Sequence, residues 1–200
     1  MCLARNSKSS LGFTLIELLI VIAILGILAV AVLSVINPIE QINRGRDTGS
    51  KSDAEQLIGA TERYYAFKGY YPWQLGASSL NVAITPMVEV TTAAQTFGGD
   101  AQPLLTNIST GATSEVKSAF ISRITSATYR RLSIYHRGTS GDSTYVCYKP
   151  QSGAFRDEAW SRCKAGGLPT DFPTTGCPAD NTCTNAANAD TATGCYLCLP

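Results

Sequence analysis

The sequence predicts an α+β protein. A long N-terminal helix, apolar enough in its first half to cross a membrane, packs through its second half on a small antiparallel β-sheet, and a disulfide-stapled tail follows. Three observations predict this. Residues 18–35 carry no charged side chain. Residues 54–65 bear an apolar stripe at helical spacing. Two alternating segments, YRRLSIYH and STYVCYK, then flank the glycine-containing turn RGTSGD.

Hydropathy decides the first element. At about 1.5 Å per residue the uncharged run covers roughly 27 Å, close to a hydrocarbon core of about 30 Å. Ile, Leu and Val face every direction around it, which excludes a one-sided surface helix. Arg5 and Lys8 precede it, so the positive-inside rule puts the N-terminus in the cytoplasm and the rest of the chain outside. Two ordinary segments share these features. A secretory signal would end at the small residues Ala29, Val30 and Ala31, releasing a chain that starts at Val32. A plain anchor would keep the segment. Neither has a use for Glu17, a carboxylate just inside the front edge that is costly when deep in lipid.

Glu17 belongs to a longer pattern. Gly12-Phe13-Thr14-Leu15-Ile16-Glu17 follows a short basic leader and leads into the unbroken apolar helix. In this the chain resembles the type IV pilin family, including the pseudopilins of type II secretion. The resemblance is strongest over residues 9–73, about a third of the chain. It implies a prepilin: a structural subunit, not an enzyme, with no cofactor. It implies that a prepilin peptidase cuts after Gly12 on the cytoplasmic side and methylates the new amine on Phe13. The apolar segment stays, and the subunit polymerises through it into a pilus or pseudopilus. Glu17 matches the family's glutamate; paired with the Phe13 ammonium of a neighbouring copy, it would set the axial register, because a misplaced subunit leaves two unpaired charges in an apolar core. The implied partners are further copies of the chain, with minor pilins, the prepilin peptidase, an inner-membrane assembly machine driven by cytoplasmic ATPases, and membrane lipid before assembly. The implied location is the cytoplasmic membrane as a single pass, then the pilus or pseudopilus outside it. The rival reading is a membrane-anchored or secreted disulfide-rich binding domain that does not polymerise.

Beyond the span, Pro38 is expected to kink or locally melt the helix, since proline removes a backbone bond and clashes with the preceding turn. Many family members carry that proline a few residues earlier, where this chain has Ser34. Gly45 and Gly49 weaken the section that follows. Helical periodicity returns with Ala54, Leu57, Ile58, Thr61, Tyr64 and Tyr65, predicting one face packed on a globular domain. A helix unbroken from residue 13 to residue 67 would span on the order of 80 Å. Gly69 and Pro72 stop it, and Tyr70, Tyr71 and Trp73 read as the plug of a small core.

Residues 74–115 read as a polar linker. SEVKSAFISRITSAT, residues 114–128, reads as a short amphipathic helix with Val116, Ala119, Phe120 and Ile124 on one side. The hairpin follows, with a third strand expected at residues 154–156 or 159–162. The organisation expected is therefore a leader at 1–12, the membrane half of the helix at 13–36 and its kinked amphipathic continuation at 37–67. A linker with a short helix occupies 68–128, the antiparallel sheet 129–163 and the Cys-rich tail 164–200.

Seven cysteines complete the picture. Cys2 stands alone; Cys147, Cys163, Cys177, Cys183, Cys195 and Cys198 lie in the last quarter and read as disulfides of an oxidising compartment, with connectivity open. Only Cys195 and Cys198 have metal-ligand spacing, and His136 is distant in sequence, so zinc is disfavoured. Asp180, Asn181, Asn188 and Asp190 supply calcium-type oxygens but fit no standard loop, and a solvated turn is expected. His136 itself is expected at the surface or a sheet edge. The net charge is +1, and without Arg5 and Lys8 the balance is 14 basic against 15 acidic side chains. That near-neutral balance gives no electrostatic case for a nucleic-acid partner, which needs a basic stripe. No phosphate loop, nucleophile elbow or metal-ligand helix occurs.

Overall fold

In the computed structural model, residues 12–35, 37–80, 82–93, 95–97, 100–110, 114–164, 168–177, 183 and 195–200 are described. The chain divides into two compact units, residues 1–39 and 40–200.

The first unit holds one helix, α1 (Leu15–Val35). Its apolar side chains are exposed wherever they are described, from Leu15 at 82% to Leu33 at 69%. Residues Leu15–Ser34 are long and apolar enough to cross a membrane.

The second unit is an α+β head. Helix α2 (Pro38–Lys68) enters it and buries Ala54, Leu57, Ile58, Thr61 and Tyr64, while Tyr65 stays 45% exposed at the margin of the stripe. Upstream, the same face continues in polar residues: Asp47, Ser50 and Asp53 are buried too. Gly45 and Gly49 do not break the helix, which is tied down by side chains. The Arg44 guanidinium donates to Glu40 at 3.3 Å, and the Asp47 carboxylate accepts from the backbone N–H and Oγ of Ser152, both at 2.7 Å. Gly69 closes α2 at φ 76°, in the left-handed region that favours glycine, its N–H donating to the Tyr65 carbonyl. Trp73 is fully buried and its indole N–H donates to the Val82 carbonyl at 2.9 Å; Tyr70 and Tyr71 pack beside the same core.

The stretch read as a linker is structured. It supplies β1 (Ile84–Glu89), the small hairpin β2 (Gln95–Phe97) and β3 (Asp100–Gln102), and α3 (Leu104–Ser109), whose Leu104, Leu105 and Ile108 enter the core. Thr, Ser and Gly dilute the apolar pattern here, and the strand alternates against a neighbour more than forty residues away, so local periodicity is weak. Helix α4 (Ser118–Ile124) follows; it buries Phe120, Ile121 and Ile124, whereas Ala119 faces solvent.

The hairpin is β4 (Ser133–His136) and β5 (Thr144–Tyr148), paired from Ser133↔Cys147 to His136↔Thr144. The turn between them needs glycine at Gly138: φ is 100°, and a Cβ there would meet the Ala83 Cβ at 2.7 Å. The expected third strand at 154–156 or 159–162 is instead α5 (Gly153–Lys164). Ser152 caps it, and Asp47 and Glu40 of α2 accept the N–H groups of residues 151–153, satisfying donors that a helix start leaves orphaned. The remaining strands of the sheet come from outside residues 129–163. β1 pairs with β4, and β6 (Leu197–Leu199), from the tail, pairs with β5, giving the antiparallel order β1-β4-β5-β6.

All five residues of β5 are buried, because both faces of the sheet are covered. Val146 and Tyr148 meet the core that α2 joins; Tyr145 and Cys147 meet Phe172 and Cys198 on the opposite face.

Candidate functional site

The residues singled out for processing and assembly lie at the start of the stem. Gly12 and Phe13 precede α1, and Phe13 is 80% exposed. Thr14 and Glu17 then form a capping box, the reciprocal arrangement that a Thr three residues before a Glu supports at a helix start. The Thr14 backbone N–H donates to Glu17 Oε2 at 2.8 Å, its hydroxyl donates to the same oxygen at 2.7 Å, and the Glu17 N–H donates back to Thr14 Oγ1 at 3.3 Å. Both bonds to the carboxylate fall on Oε2; Oε1 accepts none among the described residues. Glu17 thus has a local task, closing the front of an apolar helix, and keeps one oxygen for another donor. Sequence reasoning about Glu17 alone missed Thr14, although the T-x-x-E spacing signals it.

At the other end, α1 closes at Val35 and α2 opens with Pro38 at its first residue, where a missing N–H is tolerated. The Ser34 hydroxyl donates to the Ala31 carbonyl at 2.8 Å.

The six clustered cysteines form three disulfides: Cys147–Cys198, Cys163–Cys177 and Cys183–Cys195. The first links register partners on β5 and β6, and the second joins the end of α5 to the segment carrying Phe172. The four residues considered for calcium, Asp180, Asn181, Asn188 and Asp190, lie outside the described residues, as do Cys2, Arg5 and Lys8. Among the described residues no group of three or more His, Cys, Asp or Glu is arranged to hold a metal.

His136 is not a surface or edge residue. It is 1% exposed on β4, which has neighbours on both sides, and its ring lies 4.9 Å from that of Tyr71 and 5.8 Å from that of Trp73. Nδ1 accepts the Gly138 N–H at 3.0 Å, and burial pushes the imidazole pKa below its ordinary 6.5. The misreading has a plain cause: one polar residue in an alternating strand looks solvent-facing until a helix end covers it. Nearby, the Arg137 guanidinium binds Asp142 in bidentate fashion at 3.0 and 2.7 Å, holding that carboxyl down at about 2.

An exposed apolar helix capped by a glutamate, followed by a chain segment folded as an α+β head with C-terminal disulfides, is a pilin-like architecture. Residues 7–33 match the family model of the prokaryotic N-terminal methylation motif, which is the signature of type IV pilins and pseudopilins. That motif and the apolar helix carrying it are what the chain shares with subunits of pilin and pseudopilin type. The family that carries the motif is structural, not enzymatic. No curated protein and no solved structure matches the chain.

Proposed function

We propose that the chain is a prepilin, cleaved after Gly12, methylated on Phe13, and polymerised through residues 13–36 into a type IV pilus or a pseudopilus. The observation that carries this reading is the pairing of the motif at residues 7–33 with a stem whose described apolar residues are all exposed. Such a surface requires lipid or other helices. The bilayer supplies the first, with the N-terminus in the cytoplasm and the head outside; a bundle of identical stems supplies the second.

Cleavage creates an ammonium on Phe13. In the filament it meets Glu17 of a neighbouring copy, and the oxygen that Thr14 leaves unused accepts it. The pair adds little net stability, since both ions are desolvated, but it penalises every other register by leaving two charges alone in an apolar core. The division into leader (1–12), stem (13–36), helix continuation (37–67) and head follows from this role. The prepilin peptidase and the inner-membrane assembly machine are the partners the role requires.

Mass spectrometry of the mature N-terminus tests the processing. Methylated Phe13 is expected; a chain starting at Val32 overturns the reading in favour of a secreted disulfide-rich domain. Immunolabelled fibres tests the assembly, and a processed protein that stays solitary in the membrane overturns that half.

A further inference from the structure

The head carries a cleft of about 440 Å³ between α2, α4 and the segment leading into β4. Three guanidiniums line it, Arg46, Arg123 and Arg130, together with two carboxylates, Asp47 and Asp53. Both carboxylates are already committed. Asp47 accepts from the Gln151 and Ser152 backbone and from Ser152 Oγ; Asp53 accepts from Arg123 and, at 2.6 Å, from the Tyr129 hydroxyl. Arg46 is exposed with no hydrogen bond or ion pair among the described residues. Gly49 leaves the cleft open: a Cβ there would touch nothing within 4 Å.

On the same helix Glu55 and Glu62 are exposed, likewise without an ion pair or hydrogen bond among the described residues. They stand nine and sixteen residues beyond Arg46, hence about 160–180° around the helix and roughly 13 and 24 Å further along it. One helix therefore presents a cationic cleft on one side and an acidic stripe on the other, displaced along the axis. Two unlike patches on opposite sides cannot satisfy each other within one chain. They suit a heterologous contact that repeats from copy to copy without closing.

We propose that this cleft receives a carboxylate, Glu55 or Glu62, from α2 of a second copy of the chain. This rests on the polymer-forming role proposed above. Arg46 supplies the planar fork that binds that carboxylate bidentately. Because the contact places opposite charges across a head-to-tail interface, it selects neighbour and offset, and like charges in its place repel.

Charge reversal in the full-length protein tests this, read as filament yield in the native host. Arg46→Glu is expected to lower the yield at least about tenfold, as is the pair Glu55→Arg with Glu62→Arg; joining all three changes is expected to bring it back to within about threefold of wild type. Lys164→Glu, a reversal at the exposed end of α5, outside both the cleft and the acidic stripe, is expected to leave it unchanged. Arg46 is exposed and makes no hydrogen bond or ion pair among the described residues, and rescue by the combined variant cannot arise from misfolding. Wild-type yield from Arg46→Glu, or failure of the combined variant to recover, overturns the inference and leaves the filament role standing. If the processed wild type forms no polymer at all, both fall.

Discussion

His136 is the chain's single histidine, so its imidazole gives one unambiguous nuclear magnetic resonance signal. Burial beside Tyr71 and Trp73 depresses its pKa, so the folded state binds a proton less readily than the unfolded chain. Its contribution to stability is complete above the ordinary 6.5 and is lost as pH falls below that value. The expected result is a C2–H resonance that titrates below 6.5, and a His136→Phe variant whose stability depends less on pH between 7 and 5. A titration at or above 6.5 contradicts the buried placement. Asp47, 2% exposed, makes a second prediction. Asp47→Ala strips the acceptor from the start of α5 and is expected to cost about 2–3 kcal/mol in urea unfolding, since these are hydrogen bonds to a charged group. Neither residue was legible in the sequence. His136 looked solvent-facing in an alternating strand, and Asp47 falls on the buried face of α2 as a polar residue, invisible to a search for apolar periodicity. Glu17 was legible because its surroundings are so apolar that one carboxylate stands out.

Elements were legible where the pattern that identifies them is local. The stem, the apolar half of α2, α4 and the β4–β5 hairpin each announce themselves within about twenty residues. β1 and β6 did not, because each is an edge strand paired with a distant partner, and β6 is only three residues long. α5 was mistaken for strand because its apolar residues are sparse and only Ala159 is fully buried. It is held instead by its cap and by the Cys163–Cys177 link. Two element-level predictions follow from these placements. Gly45 sits inside α2 with open space around it, so Gly45→Ala is expected to stabilise the head by about 0.5–1 kcal/mol through helix propensity alone, read as a higher denaturation midpoint. β6 has few residues to hold it, so replacing Cys147 and Cys198 together by Ala is expected to cost about 2–4 kcal/mol. It should also raise amide exchange along β6 before it does so in β4.

At the scale of the molecule, the two units obey different solvents. Among the described residues, every buried hydrophobic residue of the head's main core lies at or beyond Ala54. The first unit contributes the reverse: a helix whose described apolar side chains are exposed. Stability of the head therefore resides in burial, the α5 cap and three disulfides, while solubility of the whole chain is decided by residues 13–36. A chain that starts at Glu40 keeps the two carboxylate clamps on α5, Glu40 with Gly153 and Asp47 with Ser152, and lacks the exposed apolar side chains of α1. It is expected to be soluble without detergent, monomeric by light scattering, and within about 0.5 kcal/mol of the full chain in unfolding free energy, the range of changes that touch no core feature. A truncated head that aggregates or unfolds would show that the stem supplies part of its core. That result would also remove the basis for treating the stem as a separate assembly device, since a helix needed to fold one head is not free to bundle with its neighbours.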